Sequence, residues 1–215
     1  GNTLTRIRMA DNNVVSRIPI PNVGSLRDVA LSHDGRFAWV GGGQWLFKVD
    51  LATSTVVKSA QFGPGQLASD TVAAIAVAND DNSVYFVGDW GTYGGGNRPA
   101  LAQVDGATLG QMNWQDLAEA QPPYRSIGTA TGVAVSPHSG AVVVSGSYGF
   151  ARFATNGLST RFVQWVDPLP FFTGVSFDRF SDDAYLFGCG TPPRTIDALD
   201  GSAGHDPGLG LGGNP

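Results

Sequence analysis

Four stretches of the chain repeat one theme: 28–40, 74–87, 132–144 and 174–187 each read as an apolar run, a polar turn and a second apolar run. With Ala30, Ala76, Ala134 and Ser176 taken as equivalent, the units recur at intervals of 46, 58 and 42 residues. At such periods internal repetition builds a ring, a solenoid or an array rather than one continuous core. A unit of this kind cannot bury its apolar faces alone, so each must be covered by its neighbours.

Within each unit the apolar runs alternate with period two or are continuously β-branched and aromatic, and turn formers separate them: His33-Asp34-Gly35, Asp80-Asp81-Asn82 and His138-Ser139-Gly140. These are the marks of β-hairpins. A second hairpin follows at 45–57, 101–112 and 150–163. Four strands per unit, A to D, make the blade of a β-propeller. The predicted fold is therefore all-β, with four-stranded antiparallel blades.

The segment 4–18 matches the C–D half of a unit, and 194–201 matches strand C with its turn. The chain is thus expected to start and end mid-blade, as a partial ring of about four to five blades or a piece of a larger ring. The predicted propeller spans 1–201, divided into a C–D half blade (1–22), blades at 23–63, 68–116 and 129–167, and an incomplete blade at 171–201. Trp90 to Pro99 forms a long B–C loop in the second of these full blades, and 117–128 is a Pro-containing insertion. The Gly-rich stretch 202–215 reads as a disordered tail or linker.

Composition narrows the function classes. Only 14% of residues are charged, the net charge is −5 and no basic cluster occurs, so the counterion release that drives nucleic-acid binding has no source. Apolar runs fall far short of the ~20 residues a membrane helix needs. Cys189 is the one cysteine, which excludes an intrachain disulfide. Low Lys content with abundant Gly, Ser and Thr points towards an extracellular or cell-surface location.

The runs around His33-Asp34-Gly35-Arg36, followed by Val49-Asp-Leu-Ala-Thr53 and Val104-Asp-Gly-Ala-Thr108, resemble the YVTN-type propeller repeats of bacterial and archaeal surface proteins. More distantly they resemble WD-repeat and lactonase-type propellers. The Gly-His and Trp-Asp pairs of the WD repeat are absent, and Asp89-Trp90 lies in the wrong loop. The resemblance implies architecture. Propellers of these families include adhesion modules, scaffolds, lactonases and dehydrogenase heavy subunits, so the fold does not choose among them. In the repeats Asp50 and Asp105 are expected to cap the C–D turns through their carboxylates.

No catalytic or metal-binding motif emerges, and no cofactor is expected. His33 and His138 fall in A–B turns and His205 in the tail, without Cys or carboxylate partners at ligand spacing. The literal G-x-G-x-x-G at 208–213 lacks the strand and helix that would make it a nucleotide loop. The Asp80-Asp81-Asn82 and Asp182-Asp183 turns lack calcium-loop spacing and read as solvated hairpin turns. Cys189 reads as a structural thiol.

The best candidates come from the geometry of a propeller, in which D–A and B–C loops converge on one face. That face would gather Arg27, Asp28, Trp45, Asp70, Trp90, Tyr93, Arg98, Tyr148 and Arg194. Rings beside Arg and Asp suit a protein or glycan partner. The expected function is a non-catalytic binding or assembly module, with a companion chain completing the ring. The alternative is a lactonase-like or dehydrogenase heavy-chain-like enzyme or enzyme subunit whose central channel, lined by Asp28, Asp70, Arg27 and Arg98, holds a substrate or a bound cofactor.

Overall fold

The computed structural model describes residues 2–21, 23–62, 71–89, 99–117, 127–153, 161–165, 171–189 and 191–197. Their regular structure is all strand, so no described helix is long and apolar enough to cross a membrane. A two-stranded sheet comes first, β1 (Thr3–Arg8) with β2 (Asn13–Pro19). Three four-stranded antiparallel sheets follow, each in simple sequential order. The first contains β3 (Asp28–Leu31), β4 (Phe37–Gly42), β5 (Trp45–Asp50) and β6 (Thr55–Gln61). The second contains β7 (Thr71–Val77), β8 (Ser83–Asp89), β9 (Pro99–Asp105) and β10 (Gln111–Asp116). The third contains β11 (Ala130–Val135), β12 (Val142–Gly146), β13 (Gly149–Phe153) and β14 (Arg161–Trp165). A three-stranded sheet ends the described chain: β15 (Phe171–Phe177), β16 (Asp183–Cys189) and β17 (Thr191–Asp197).

The first strands of successive sheets pack side by side, β3 on β7, β7 on β11 and β11 on β15. These inner strands set the axis about which the sheets are arranged, and the all-β propeller of four-stranded blades read from the repeats is the observed fold. Apolar residues on both faces of the four-stranded sheets favour this arrangement. Along β8, Val84 and Phe86 point towards the first full sheet and Tyr85 and Val87 towards the third, the alternation that a strand buried on both faces requires. Four separate cores result, one at each sheet boundary. Trp39 and Phe86 are fully buried at the boundary between the first and second full sheets, and Phe153 at the next.

The turn chemistry matches the repeat pattern. The Asp50 carboxylate accepts from Ala52 N at 2.8 Å and Thr53 N at 3.1 Å. Asp105 accepts from Ala107 N at 3.0 Å and from Thr108 N and Oγ1 at 2.6 and 2.8 Å. Donation from the Thr53 and Thr108 amides holds these carboxyls below the usual carboxylate range. The turns close with Ser54 and Leu109 in the left-handed region, at φ 58° and 59°, a strained conformation for side-chain-bearing residues that the surrounding Asp bonds help to hold.

The A–B turns depart from expectation. They are not merely solvated hairpin ends, because each bonds to the next sheet. His33 N and Nδ1 reach Asp81 Oδ1 at 3.1 and 3.2 Å. The Asn79 amide donates to the carbonyls of Ser136 and Pro137, and Asp182 accepts from the Ser136 and Ser139 hydroxyls. Sheets that share only apolar faces can slide, and these bonds fix their relative height.

Candidate functional site

At the opposite end of the sheets from the A–B turns lie the D–A and B–C connections. The chain can turn there because strand B ends in glycine in the first and third full sheets, at Gly42 and Gly146. A Cβ on Gly42 would meet the Ser25 carbonyl oxygen, and one on Gly146 would meet the Ile127 carbonyl oxygen. The D–A connection therefore crosses directly over the end of strand B. Two further bonds hold it there, Arg27 N to Gly41 O and Tyr148 N to Ile127 O, both at 2.8 Å.

This end collects four of the expected residues. Arg27 immediately precedes β3 and Asp28 begins it; Trp45 is the first residue of β5; Tyr148 occupies the β12–β13 turn. Arg27 is exposed, and its guanidinium has no hydrogen-bond partner among the described residues. Tyr148 is 50% exposed, with its ring lying so close over Gly128 that a Cβ there would come within 2.7 Å of it. Trp45 is half-buried and stacks on Phe47, with centroids 6.0 Å apart and planes at 21°.

Asp28 does something else. Its Oδ1 accepts from Val29 N at 2.8 Å, and its Oδ2 accepts from Ile75 N at 2.7 Å in the neighbouring inner strand. Thr131 serves the β11–β15 pair in a similar way, donating through Oγ1 to Phe172 O at 3.0 Å. Both side chains link one blade to the next. Arg194, expected at the loop face where the last strand C begins, lies within β17 opposite Leu186, with its side chain exposed. Asp70, Trp90, Tyr93 and Arg98 lie outside the described residues, as do His205, the 208–213 glycine string and the Cys189 side chain.

Sequence reasoning passed over a second region near the A–B turns. Lys48 of β5 crosses to the second full sheet, where its Nζ donates to Gly106 O at 2.6 Å. Burial lowers the Lys48 pKa, and Asp105 opposes that effect. The signal was available in the repeat alignment, since Lys48 and Gln103 occupy equivalent strand-C positions opposite Trp39 and Tyr85. No group of three or more His, Cys, Asp or Glu among the described residues could hold a metal ion.

No sequence-family model matches the chain, and no curated protein matches it. Solved structures do. The dihydro-heme d1 dehydrogenase NirN in complex with DHE is 16% identical, with a TM-score of 0.66 over 95% of this chain and 41% of its own. The RRP9 WD40 repeats are 7% identical, with a TM-score of 0.63 over 80% of this chain and 48% of theirs. U3-55K is 8% identical, with a TM-score of 0.63 over 80% of this chain and 49% of its own. At such identities the likeness is one of fold, and it is to propellers. The chain spans less than half the length of each of these structures.

Proposed function

We propose that this chain is a non-catalytic propeller module of the YVTN-repeat kind that binds a protein or glycan partner, outside the cell or at its surface. The supporting observation is a division of labour at the D–A/B–C end. The Asp28 carboxylate is engaged by two backbone amides, while the Arg27 guanidinium and the Tyr148 ring remain exposed. An exposed ring and an exposed cation at the same end of the sheets offer contact area at low entropic cost together with direction. A glycan array and a partner screen, repeated with Arg27→Ala and Tyr148→Ala, test the reading. Retention of every ligand by the double variant would refute it.

In this reading companion blades complete the ring. On β3, Val29 and Leu31 are 46% and 58% exposed. They lie on the sheet face whose outer strands are covered by Leu4 and Ile18 of the two-stranded sheet and by Ile20 just after it. The space over the inner strand is where another blade's inner strands would pack.

A second reading, an enzyme or enzyme subunit, is favoured by the fit of 95% of the chain to the NirN structure. It predicts loss of turnover in Asp28→Ala with the fold intact. The two amide bonds to Asp28 instead predict a loss of stability.

A further inference from the structure

The three boundaries between successive sheets from β3 onwards share one design. On strand B, Trp39, Tyr85 and Val143 each face the next sheet. Their cross-strand partners on strand C are Lys48, Gln103 and Arg152, and directly paired residues project from the same face. At the first boundary Lys48 fills the gap between sheets, with Nζ 4.2 Å from the Phe37 ring centroid and 5.3 Å from that of Trp39. At the third boundary Arg152 is 8% exposed. Two of the three boundaries thus carry a cation at this position.

The middle boundary lacks one. Ser83 stands where Phe37 does, Tyr85 where Trp39 does, and Gln103 where Lys48 does. Gln103 lines the cleft that opens here, and its Nε2 donates to Ser83 Oγ of the same sheet at 3.0 Å. Between these residues and the 138–140 turn of the next sheet lies a cleft of about 390 Å³, within the size range of small-ligand sites.

We propose that this cleft binds an N–H cation, the ammonium or guanidinium head of a lysine- or arginine-like group, in the place that Lys48 and Arg152 fill at the other two boundaries. Asp80 at its rim corresponds to Asp34 of the preceding unit, one of the carboxylates acting on Lys48. Asp80 accepts only from Asn82, N at 2.9 Å and Nδ2 at 3.1 Å, and pairs with no cation among the described residues. The Tyr85 ring, 6% exposed, supplies an aromatic wall of the kind that attracts a cation. His138 Nε2 lies 3.0 Å from Arg179 O. A carbonyl can only accept, so Nε2 carries a proton and donates it there, which anchors the ring at the wall of the cleft. An anion entering the cleft would meet the Asp80 carboxylate. These residues lie towards the A–B turns, so the proposal stands independently of any binding at Arg27 and Tyr148.

The test is titration of the chain with n-butylammonium and with the peptide acetyl-Gly-Lys-Gly-amide, read from the amide NMR shifts of His138, Ser139 and Gly140. The norleucine analogue of the peptide is the control. Saturable shifts with the lysine peptide or the amine, and none with norleucine, are expected. A response to the peptide alone identifies a protein-borne side chain, and equal responses identify a free amine. Asp80→Asn weakens binding roughly threefold, as for a solvent-exposed ion pair. The double variant Ser83→Phe/Gln103→Lys rebuilds the first boundary and abolishes binding, and Gln103→Lys alone serves if the double variant does not fold. No saturable response up to roughly 50 mM, weaker than the millimolar end of specific binding, would overturn the proposal. So would an equal response to norleucine, or undiminished binding in the filled variant.

Discussion

Replacing Asp182 by Ala tests whether the A–B turns lock the blades together or merely cap hairpins. The Asp182 Oδ1 accepts from the Ser136 hydroxyl, from Ser139 Oγ at 2.6 Å and from Ser139 N at 3.3 Å. Ser136 is fully buried, so its donor has no water to turn to. Hydrogen bonds to a charged group contribute about 1.5–3 kcal/mol; with Asp182 only partly buried, a total near 2 kcal/mol is reasonable. For a chain of this size that lowers Tm by about 4–8 °C. Asp182→Asn keeps an acceptor but loses the charge, and should cost about half as much.

The pH dependence adds an independent check. Burial pushes the Asp182 carboxyl up, but the bonds from Ser136 and Ser139 outweigh it and the net shift is downward. A depressed folded-state pKa means that the stabilisation is fully present above the unfolded value of about 3.9 and is lost as pH falls through the folded one. The Tm gap between the parent chain and Asp182→Ala, followed by circular dichroism, should therefore be constant from pH 7 to 5 and narrow below about pH 4. A gap under about 1 °C at pH 7, or one that persists unchanged into acid, would refute the inter-blade lock.

Other outcomes follow from single contacts. Asp28→Ala leaves the Ile75 amide without its acceptor and should cost about 2 kcal/mol in urea unfolding, without changing partner binding at Arg27 and Tyr148. Gly146→Ala places a methyl against the Ile127 carbonyl, which cannot move without shifting the connection, and should cost about 1–3 kcal/mol. Gly24→Ala, where a Cβ meets nothing within 4 Å, is the control. Leu31→Asp, at a 58% exposed position, should leave the melting of the isolated chain within about 0.5 kcal/mol of the parent. It should nevertheless block association with companion blades in sedimentation experiments.

The strands, their order within each sheet and the C–D turn caps were legible in the sequence because all of them are local. Period-two burial shows in alternating side chains such as Val84 to Val87, and an Asp two or three residues before its backbone donors is a short-range device. Position along the chain says nothing about which blade neighbours which turn. Asp28 looked like a free carboxylate at a ligand mouth, yet its partner amide belongs to Ile75, 47 residues on. The strand-C pattern that starts at Arg194 is legible in the same local way, but strand pairing begins three residues earlier, at Thr191, and sets Arg194 inside the strand.

The sequence by itself determined that this chain builds repeated antiparallel sheets with both faces apolar, since strand period and turn chemistry act over a few residues. Only the tertiary structure decided which polar groups are consumed between blades and where a gap is left. Lys48 fills one boundary and Gln103 leaves the next open, a difference that has meaning only once two sheets stand face to face. Hydrogen bonding and cavity volume depend on distances between atoms that the chain brings together from tens of residues apart, and no local pattern encodes those distances.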